Sequence, residues 1–443
     1  MKTTLAIIWL TVFTACIRTG QSEGDLATSD SDAGNEPVSR RRQRVDAGPT
    51  GPGTFRFTVS GESFARQPYP FPPARAGDPT FVDGWEVRID HALVTIDNIA
   101  LWENPDLSAS DPTQVGSKVA QVSGPWIVDL HLPGASLPDG GMPDGGASDG
   151  GGSDGGSVDP PIVIATLGDQ NLAGHLPFDP TKRYAISFDV VRPSRTNPPR
   201  AINLDSAGQG ELSAVYSNGY SLYFWGVATW RASEDSCVST DPSFDWRPAP
   251  PVDGGTVPRE VTFKIGFQTG TTYMNCQNPD FPGPGIGGEA HPRGVKATSE
   301  AETAVQLTLR MDQPFWENSD GADAGLHFDQ FAVAARRLLT RYQLQPLEAR
   351  VRDGGIVDQN YTAFAVPWRW CRGDLTGYRP PDQLTRMDFE GGLYYDPSLP
   401  DQRLSSSTHY RDYYDLASHI QSGQGYLGAR GHCAVQRHFP SRP

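Results

Sequence analysis

The chain is patterned mainly by short runs in which apolar and polar residues alternate. The longest run, "WEVRIDHALVTIDNIALW" from Trp85 to Trp102, places Val87, Ile89 and Leu93 among polar residues in near alternation. A period of two is typical of a strand with one buried face. Similar runs are "TFRFTVSG" from Thr54, "WIVDLHL" from Trp126, "IVIATL" from Ile162, "RYAISFDVV" from Arg183, "YSLYFWGVATW" from Tyr220, "EVTFKIGFQTG" from Glu260 and "AVQLTLRMD" from Ala304. Because prolines and glycines separate these runs, we predict a mainly β protein with an antiparallel β-sandwich or barrel-like body.

One stretch has the spacing of an amphipathic helix. "HFDQFAVAARRLLTRYQ", from His327 to Gln343, repeats apolar residues every three or four positions, with Asp329 near its start and arginines in its last turns. Both charge positions suit the helix dipole. From Pro346 onward the chain is irregular, aromatic and rich in arginine, and "HYRDYYDLASHIQ" is compatible with a short helix. We therefore predict one helix in the C-terminal half and a loop-rich end that is stapled by disulfides.

The N-terminus has the features of an export signal. Lys2 is followed by an apolar run from Leu5 to Phe13, and Thr14 and Ala15 precede Cys16. This resembles the lipobox of bacterial lipoproteins, which implies that residues 1–15 are a signal peptide and that Cys16 carries lipid. Acyl chains contribute about 0.8 kcal/mol per buried CH₂, so more than one chain gives a stable anchor. By the same resemblance, Ile17 after the cysteine implies the outer membrane. The alternative is an ordinary secretory signal that is cleaved nearby.

Two tracts of low complexity divide the chain. Residues 16–53 are small and polar and contain the basic cluster Arg40–Arg44, so we interpret them as a disordered tether. The cluster could contact anionic head groups, although a basic patch in a disordered arm is the favoured explanation. Residues 134–160, which are rich in Asp-Gly-Gly, are interpreted as a flexible insertion in a β-sandwich domain spanning 54–345. Clustered aspartates could bind calcium loosely, but ordering a flexible chain around the ion is unfavourable. Residues 346–443 form an extension that we expect to pack on the same body.

Composition and charge restrict the classes of partner that the chain could bind. The chain has 443 residues, 48 glycines and 39 prolines, while aromatic residues make up 10%, which argues against disorder throughout. The formal net charge is −15. An acidic chain releases no counterions from a phosphate backbone, so we exclude nucleic acid as a partner. After the first run, no apolar stretch approaches the roughly 20 residues that span a bilayer.

Four further cysteines, Cys237, Cys276, Cys371 and Cys433, are predicted to form disulfides in an exported protein. Four cysteines allow three connectivities. We favour Cys237–Cys276 with Cys371–Cys433, because each of these pairs closes a local, turn-rich segment. No two cysteines have the Cys-x-x-Cys spacing, so neither a redox motif nor a zinc ribbon is supported.

No catalytic motif stands out, and the candidate site residues are histidines and aromatic residues. His91 and His131 lie in predicted strands and His175 follows "NLAG". Imidazoles from neighbouring strands could converge on copper or zinc, although a surface or core histidine is the more common explanation for any one of them. Trp225, Trp230 and Tyr223 could stack on sugars or cations, yet such rows in a β-sandwich are more often core.

Part of the chain resembles a known family. "YAISFDVV", "GYSLYFWGVATW" and "VTFKIGFQTGTTYMNC", between Arg183 and Cys276, are similar to the MbnP-type family. Members are exported β-sandwich proteins with four cysteines, encoded beside di-haem partners, with a proposed role in copper handling. The resemblance implies a β-sandwich, and it makes copper the alternative to having no cofactor.

The function that these features favour is binding in the cell envelope. We predict a lipid-anchored protein of the outer membrane that acts as a binding or structural protein for an unknown envelope ligand or protein. A copper-handling module of the MbnP type is the first alternative. A secreted hydrolase is the second alternative and the least favoured, because no catalytic signature identifies its residues.

Overall fold

The computed structural model describes residues 51–75, 77–134, 162–168, 178–239, 259–316, 325–336, 349–352, 355–358, 369–371, 394–395, 409–410, 413–428 and 430–438. The strands are β1 Phe55–Ser60, β2 Trp85–Trp102, β3 Lys118–Val122, β4 Trp126–Asp129, β5 Ile162–Leu167, β6 Ala185–Val190, β7 Arg200–Ile202, β8 Leu222–Trp230, β9 Cys237–Ser239, β10 Glu260–Phe267, β11 Gly270–Met274, β12 Thr303–Leu309, β13 Ala349–Arg352, β14 Gly355–Asp358, β15 Arg369–Cys371, β16 Tyr394–Tyr395, β17 His409–Tyr410, β18 Gly425–Leu427, β19 Gly431–His432 and β20 Ala434–His438. The helices are α1 Ser206–Asn218, α2 Asp329–Arg336 and α3 Tyr413–Gln421.

Two large sheets confirm the predicted mainly β fold. A five-stranded sheet has the order β19-β18-β12-β1-β5. A nine-stranded sheet has the order β10-β8-β2-β6-β11-β20, with β3 and β4 paired to β2 and β7 paired to β4. Most neighbours are antiparallel, while β1 pairs with β12 in parallel. Strands from the C-terminal part join both sheets, because β18 pairs with β12 and β20 pairs with β11.

The core lies between the two sheets and follows from the alternation in the sequence. Phe57 and Leu307 from the five-stranded sheet belong to the same buried cluster as Val94, Phe188 and Phe224 from the nine-stranded sheet. Successive side chains of a strand point to opposite faces, so alternate residues of β8 and of each regular stretch of β2 enter this core. Burying a side chain of this size contributes about 1.5–3 kcal/mol, which makes the apolar contact the main force between the sheets.

Helix α1 was not predicted from the sequence. Its segment, "SAGQGELSAVYSN", has few apolar residues and no clear helical spacing. Its ends are instead defined by caps: the Asp205 side chain accepts a hydrogen bond from the Gly208 backbone N–H at 2.9 Å, and Gly219 ends the helix at φ +61°. Asp at the N-cap and Gly after the last turn are standard helix boundaries. Caps were therefore the available signal for this helix.

The two helices of the C-terminal half lie where the spacing indicated. α2 begins at Asp329, two residues after the predicted start. The predicted continuation through 343 lies outside the described residues. α3 occupies the last nine of the thirteen residues of "HYRDYYDLASHIQ".

The four cysteines form two disulfides, but the favoured pairing was wrong. The bonds are Cys237–Cys371 and Cys276–Cys433. Strand pairing decides the partners: Cys237 faces Cys371 in the β9–β15 register, and Cys276 and Cys433 flank the paired strands β11 and β20. Local loop closure was therefore the wrong criterion, because neighbours in a sheet can be far apart along the chain. Each bond contributes about 2–5 kcal/mol for loops of this length class.

Several predictions fall on residues that the structure does not describe. These are the signal peptide, Cys16, nearly all of the tether and the insertion, and His175. The insertion does lie between β4 and β5 along the chain. Within the described part of the chain, no helix has both the length and the apolar character needed to cross a membrane.

A glycine in β8 is required by the packing of the nine-stranded sheet. A Cβ on Gly226 would lie 1.9 Å from the Arg88 carbonyl oxygen, at the irregular pairing between Ile89 and His91. We expect Gly226→Ala to lower the free energy of unfolding by about 1–3 kcal/mol, measured by urea denaturation, because backbone atoms must move. Gly270→Ala is the matched control in β11, where a Cβ meets its nearest atom at 3.5 Å. A loss in Gly226→Ala no larger than in this control would contradict the prediction.

Candidate functional site

The outer face of the nine-stranded sheet carries the candidate site. Next to α1, the side chains of Leu93, Ile127 and Tyr223 form a second apolar cluster, separate from the core between the sheets. This cluster fixes α1 on the outer face. Beside it lie His91, Asp129, His131, Asp205 and Trp225, which we call the outer-face cluster.

Strand pairing brings the members of the outer-face cluster together. His91 on β2 is the register partner of Trp225 on β8, and their rings stack with centroids 4.5 Å apart. On the other side of β2, Leu93 pairs with Asp129 at the end of β4. Because directly opposed and diagonal side chains on one face of a sheet are in contact range, the three side chains meet.

Asp129 is the structural centre of the cluster. Its carboxylate is fully buried and accepts hydrogen bonds from His91 Nδ1 at 2.6 Å, the Ala92 backbone N–H at 3.1 Å and the His131 backbone N–H at 3.0 Å. Its backbone is held by Asn203, whose side-chain amide bonds to both the N–H and the carbonyl of Asp129. Three donors satisfy the buried charge, and the bond to His91 sets the orientation of that ring.

The hydrogen bonds also determine the neutral tautomers of both histidines. His131 Nδ1 lies 2.7 Å from the Ala65 carbonyl oxygen, which can only accept, so Nδ1 carries the proton. The same reasoning applies to His91 Nδ1 beside the Asp129 carboxylate. In each neutral ring the lone pair is therefore on Nε2. Within the described residues neither Nε2 has a hydrogen bond, and the two ring centroids are 5.8 Å apart.

Several charges act on His91. Burial lowers its pKa most strongly as a single effect, but the hydrogen bond and charge of Asp129, followed by the charges of Asp205 and Asp90, raise it above the ordinary value overall. The side chain is 11% exposed, and His91 Nε2 lies 3.9 Å from Asp205 Oδ2. A ligand that bonds to Nε2 must therefore compete with a proton.

Aromatic rings form a row that ends at the histidines. Tyr220 and Tyr223 stack 5.2 Å apart, Tyr223 and Trp225 lie 5.6 Å apart, and Trp225 stacks on His91. The Tyr223 hydroxyl donates to Glu211, which also binds Lys264. Burial and this hydrogen bond raise the pKa of Tyr223. Since His91 covers one face of the Trp225 indole, a sugar or cation could stack on that face only by displacing the imidazole.

The structure places some of the candidate site residues together and others apart. It brings His91, His131, Tyr223 and Trp225 together. Trp230 lies elsewhere: it is buried in the core and donates its indole N–H to the Asp83 carbonyl. Across the residues that the structure describes, no group of three or more His, Cys, Asp or Glu side chains is arranged to hold a metal ion.

Asp129, Asn203 and Asp205 were missed. Asp129 precedes His131 by two positions in "WIVDLHL", so alternation places both on one face, and that spacing was an available signal. Asp205 and Asn203 lie in the connection before α1, and their contribution depends on a helix that the sequence did not predict.

The outer-face cluster leads to a pH-dependent prediction for Asp129→Asn. The raised pKa of His91 means that the protonated ring stabilises the fold fully below its unfolded pKa, about 6.5, and that this contribution is lost as the pH rises through the folded pKa. Removing the Asp129 charge should lower the free energy of unfolding by about 1.5–3 kcal/mol at about pH 5.5 and by less at about pH 8.5. Urea denaturation at both pH values measures the difference.

His91→Gln is the control for this prediction, because it removes the titrating ring. Like Asp129→Asn, it should remove the pH-dependent part of the free energy of unfolding. A difference between wild type and Asp129→Asn that stays constant with pH would contradict the assignment of that part to His91.

Comparisons of the chain with protein-family models, curated proteins and solved structures gave no match. The function of the outer-face cluster therefore has to be argued from its own geometry.

Proposed function

We propose that this protein is lipid-anchored in the cell envelope and acts by binding a ligand at the outer-face cluster. The observation that carries this proposal is the pair of oriented imidazoles, each with Nδ1 bound to a fixed acceptor and Nε2 without a hydrogen bond in the described residues. Side chains held in this way are prepared to bind before a ligand arrives, which lowers the entropic cost of association. Two disulfides are consistent with an exported protein.

Binding is favoured over hydrolysis by what surrounds His91. The His91–Asp129 pair has the arrangement that orients a general base in hydrolases. A nucleophile within hydrogen-bonding reach of Nε2 would complete such a site, but among the described residues the group near Nε2 is the carboxylate of Asp205, at 3.9 Å. We therefore keep the hydrolase as the least favoured alternative.

Copper handling is the second candidate function, and the donor atoms favour it. Imidazole nitrogens suit copper and zinc, and the Asp205 carboxylate adds an oxygen ligand next to one of them. Asp129 stands where a carboxylate that orients a metal-bound histidine would be expected. His91 and His131 are the residues that would hold the metal that the MbnP resemblance implies, although in the described residues they do not belong to a group of three or more side chains arranged for a metal ion.

The anchor is tested by changing Cys16→Ser. We expect cells fed labelled palmitate to label the wild-type protein and place it in the membrane fraction, whereas Cys16→Ser should be unlabelled and soluble, because acyl chains supply the membrane affinity. Cys433→Ser serves as a control that removes a different cysteine. An unlabelled wild-type protein that washes off the membrane would contradict the anchor and leave the site proposal standing.

The ligand is tested by titrating the full chain with copper. We expect wild type to bind copper, and His91→Ala and His131→Ala each to weaken binding at least about tenfold, as loss of a metal ligand should. His438→Ala, an exposed histidine on β20, is the matched control and should bind as wild type. Copper bound equally well by the His91/His131 double variant would contradict the copper candidate.

Soluble peptidoglycan fragments are a second probe in the same experiment. A shift of the Trp225 indole resonance with these fragments, in a protein that binds no copper, would support the wider binding role alone. If neither probe perturbs His91, His131 or Trp225, the outer-face cluster is not the binding site for either class.

A further inference from the structure

The disulfide Cys237–Cys371 holds a very short strand against the core. β15 pairs with β9 over three residues, with Cys371 opposite Cys237. The Cys371 backbone N–H donates to the Val82 carbonyl at 2.7 Å, and its sulfur lies close to Gly84. A three-residue pairing provides few ladder hydrogen bonds, so the covalent bond is a large part of what keeps β15 in place.

β15 places the buried guanidinium of Arg369 at the start of α2. Arg369 is almost fully buried and donates to both carboxylate oxygens of Asp329, at 3.0 and 2.5 Å. Asp329 is the first residue of α2 and also accepts the Trp85 indole N–H at 2.8 Å. This planar, two-bond geometry is the strong form of an arginine–carboxylate pair.

A second buried carboxylate makes the cluster depend on Arg369. Asp83 accepts the backbone N–H groups of Phe328 and Asp329, at 2.6 and 2.8 Å, and so caps α2. His327 Nδ1 lies 3.8 Å from the same oxygen. Within the described residues, Arg369 is the one cation hydrogen-bonded to either carboxylate. Burial, with the neighbouring charge of Asp329, raises the pKa of Asp83, while Arg369 acts in the opposite direction.

We propose that Cys237–Cys371 is a redox-controlled latch, whose reduction releases β15, withdraws Arg369 from Asp329 and undocks the start of α2. Without Arg369, the buried Asp329 carboxylate loses the cation that is hydrogen-bonded to it, and a buried charge without its partner is strongly destabilising. The segment lowers this cost by opening to water. Opening exposes Phe328 and Phe331, which are buried in the core in the oxidised form.

The chemistry is a thiol–disulfide exchange with a dithiol reductant. Cys237 is partly exposed and Cys371 is buried, so the reductant thiolate attacks the Cys237 sulfur and Cys371 leaves as a thiolate that takes up a proton. The second thiol of the reductant, as a thiolate, then attacks the reductant sulfur of this mixed disulfide, and Cys237 leaves as a thiolate that also takes up a proton. Two electrons and two protons pass to the protein, which gains two thiols, and the reductant becomes a cyclic disulfide.

The other disulfide differs in the features that make a latch. Cys276–Cys433 connects β11 and β20, which are already paired along five residues, from Gly270 with His438 to Met274 with Ala434. Neither strand takes part in the described hydrogen bonds of Asp83 and Asp329 at the start of α2. Its loss should therefore leave α2 docked, which makes Cys276→Ser/Cys433→Ser the matched control.

The test is hydrogen exchange of the full chain, followed by mass spectrometry. In Cys237→Ser/Cys371→Ser, and in wild type reduced with dithiothreitol, we expect roughly tenfold or faster exchange confined to residues 325–336 and 369–371. Cys276→Ser/Cys433→Ser should keep wild-type exchange there. Exchange unchanged in these segments, or raised equally across both sheets, would overturn the latch.

A charge variant with both disulfides intact keeps the proposal testable if the cysteine variants do not fold. Arg369→Gln should open the same segments, since it removes the cation and leaves the Cys237–Cys371 disulfide in place. Adding Asp329→Asn should restore much of the protection, because the uncompensated charge is then gone. Arg369→Gln with wild-type protection would show that the cation does not hold α2 and would overturn the proposal.

Discussion

The structure depends on β2, an 18-residue strand that is hydrogen-bonded on both sides. It pairs with β8 along one edge, and β6, β4 and β3 occupy successive parts of its edges. A shift of one residue would move every side chain of β2 to the opposite face. Val94 and Ile96 would leave the core between the sheets, and His91 and Leu93 would enter it. The register of this one strand therefore determines both the core and the outer-face cluster.

Much of the fold could be predicted, because strands with one buried face repeat with a period that the sequence displays directly. The pairing of cysteines could not, since it depends on which strands become neighbours. Cys237 and Cys371 are separated by 134 residues, yet they face each other across β9 and β15. Helix α1 shows a different difficulty. Its stability comes from packing on Leu93 and Ile127 and from its caps, so its own sequence has little apolar spacing.

The candidate site was predictable as residue types and only partly as a set. His91, His131 and Trp225 were singled out because such side chains can bind ligands, but their meeting depends on β4 and β8 lying on either side of β2. Trp230 comes from the same run as Trp225 and points into the core instead. Because the two tryptophans are five positions apart, an odd number, they lie on opposite faces of a regular strand. Strand parity alone therefore distinguishes the tryptophan of the site from the tryptophan of the core.

Two of the buried carboxylates in the described part of the chain, Asp129 and Asp329, are hydrogen-bonded to different cations. Asp129 is satisfied by backbone N–H groups and by an imidazole, while Asp329 is satisfied by an indole and a guanidinium. An imidazole can lose its proton near neutral pH, so the charge balance around Asp129 can change without any movement of the chain. A guanidinium stays charged at any physiological pH, so the balance around Asp329 changes only if Arg369 moves. The first arrangement suits a site that exchanges protons and ligands, and the second suits a contact controlled by the position of a strand. That distinction is why we assign binding to the outer-face cluster and conformational control to the cluster beneath Cys237–Cys371.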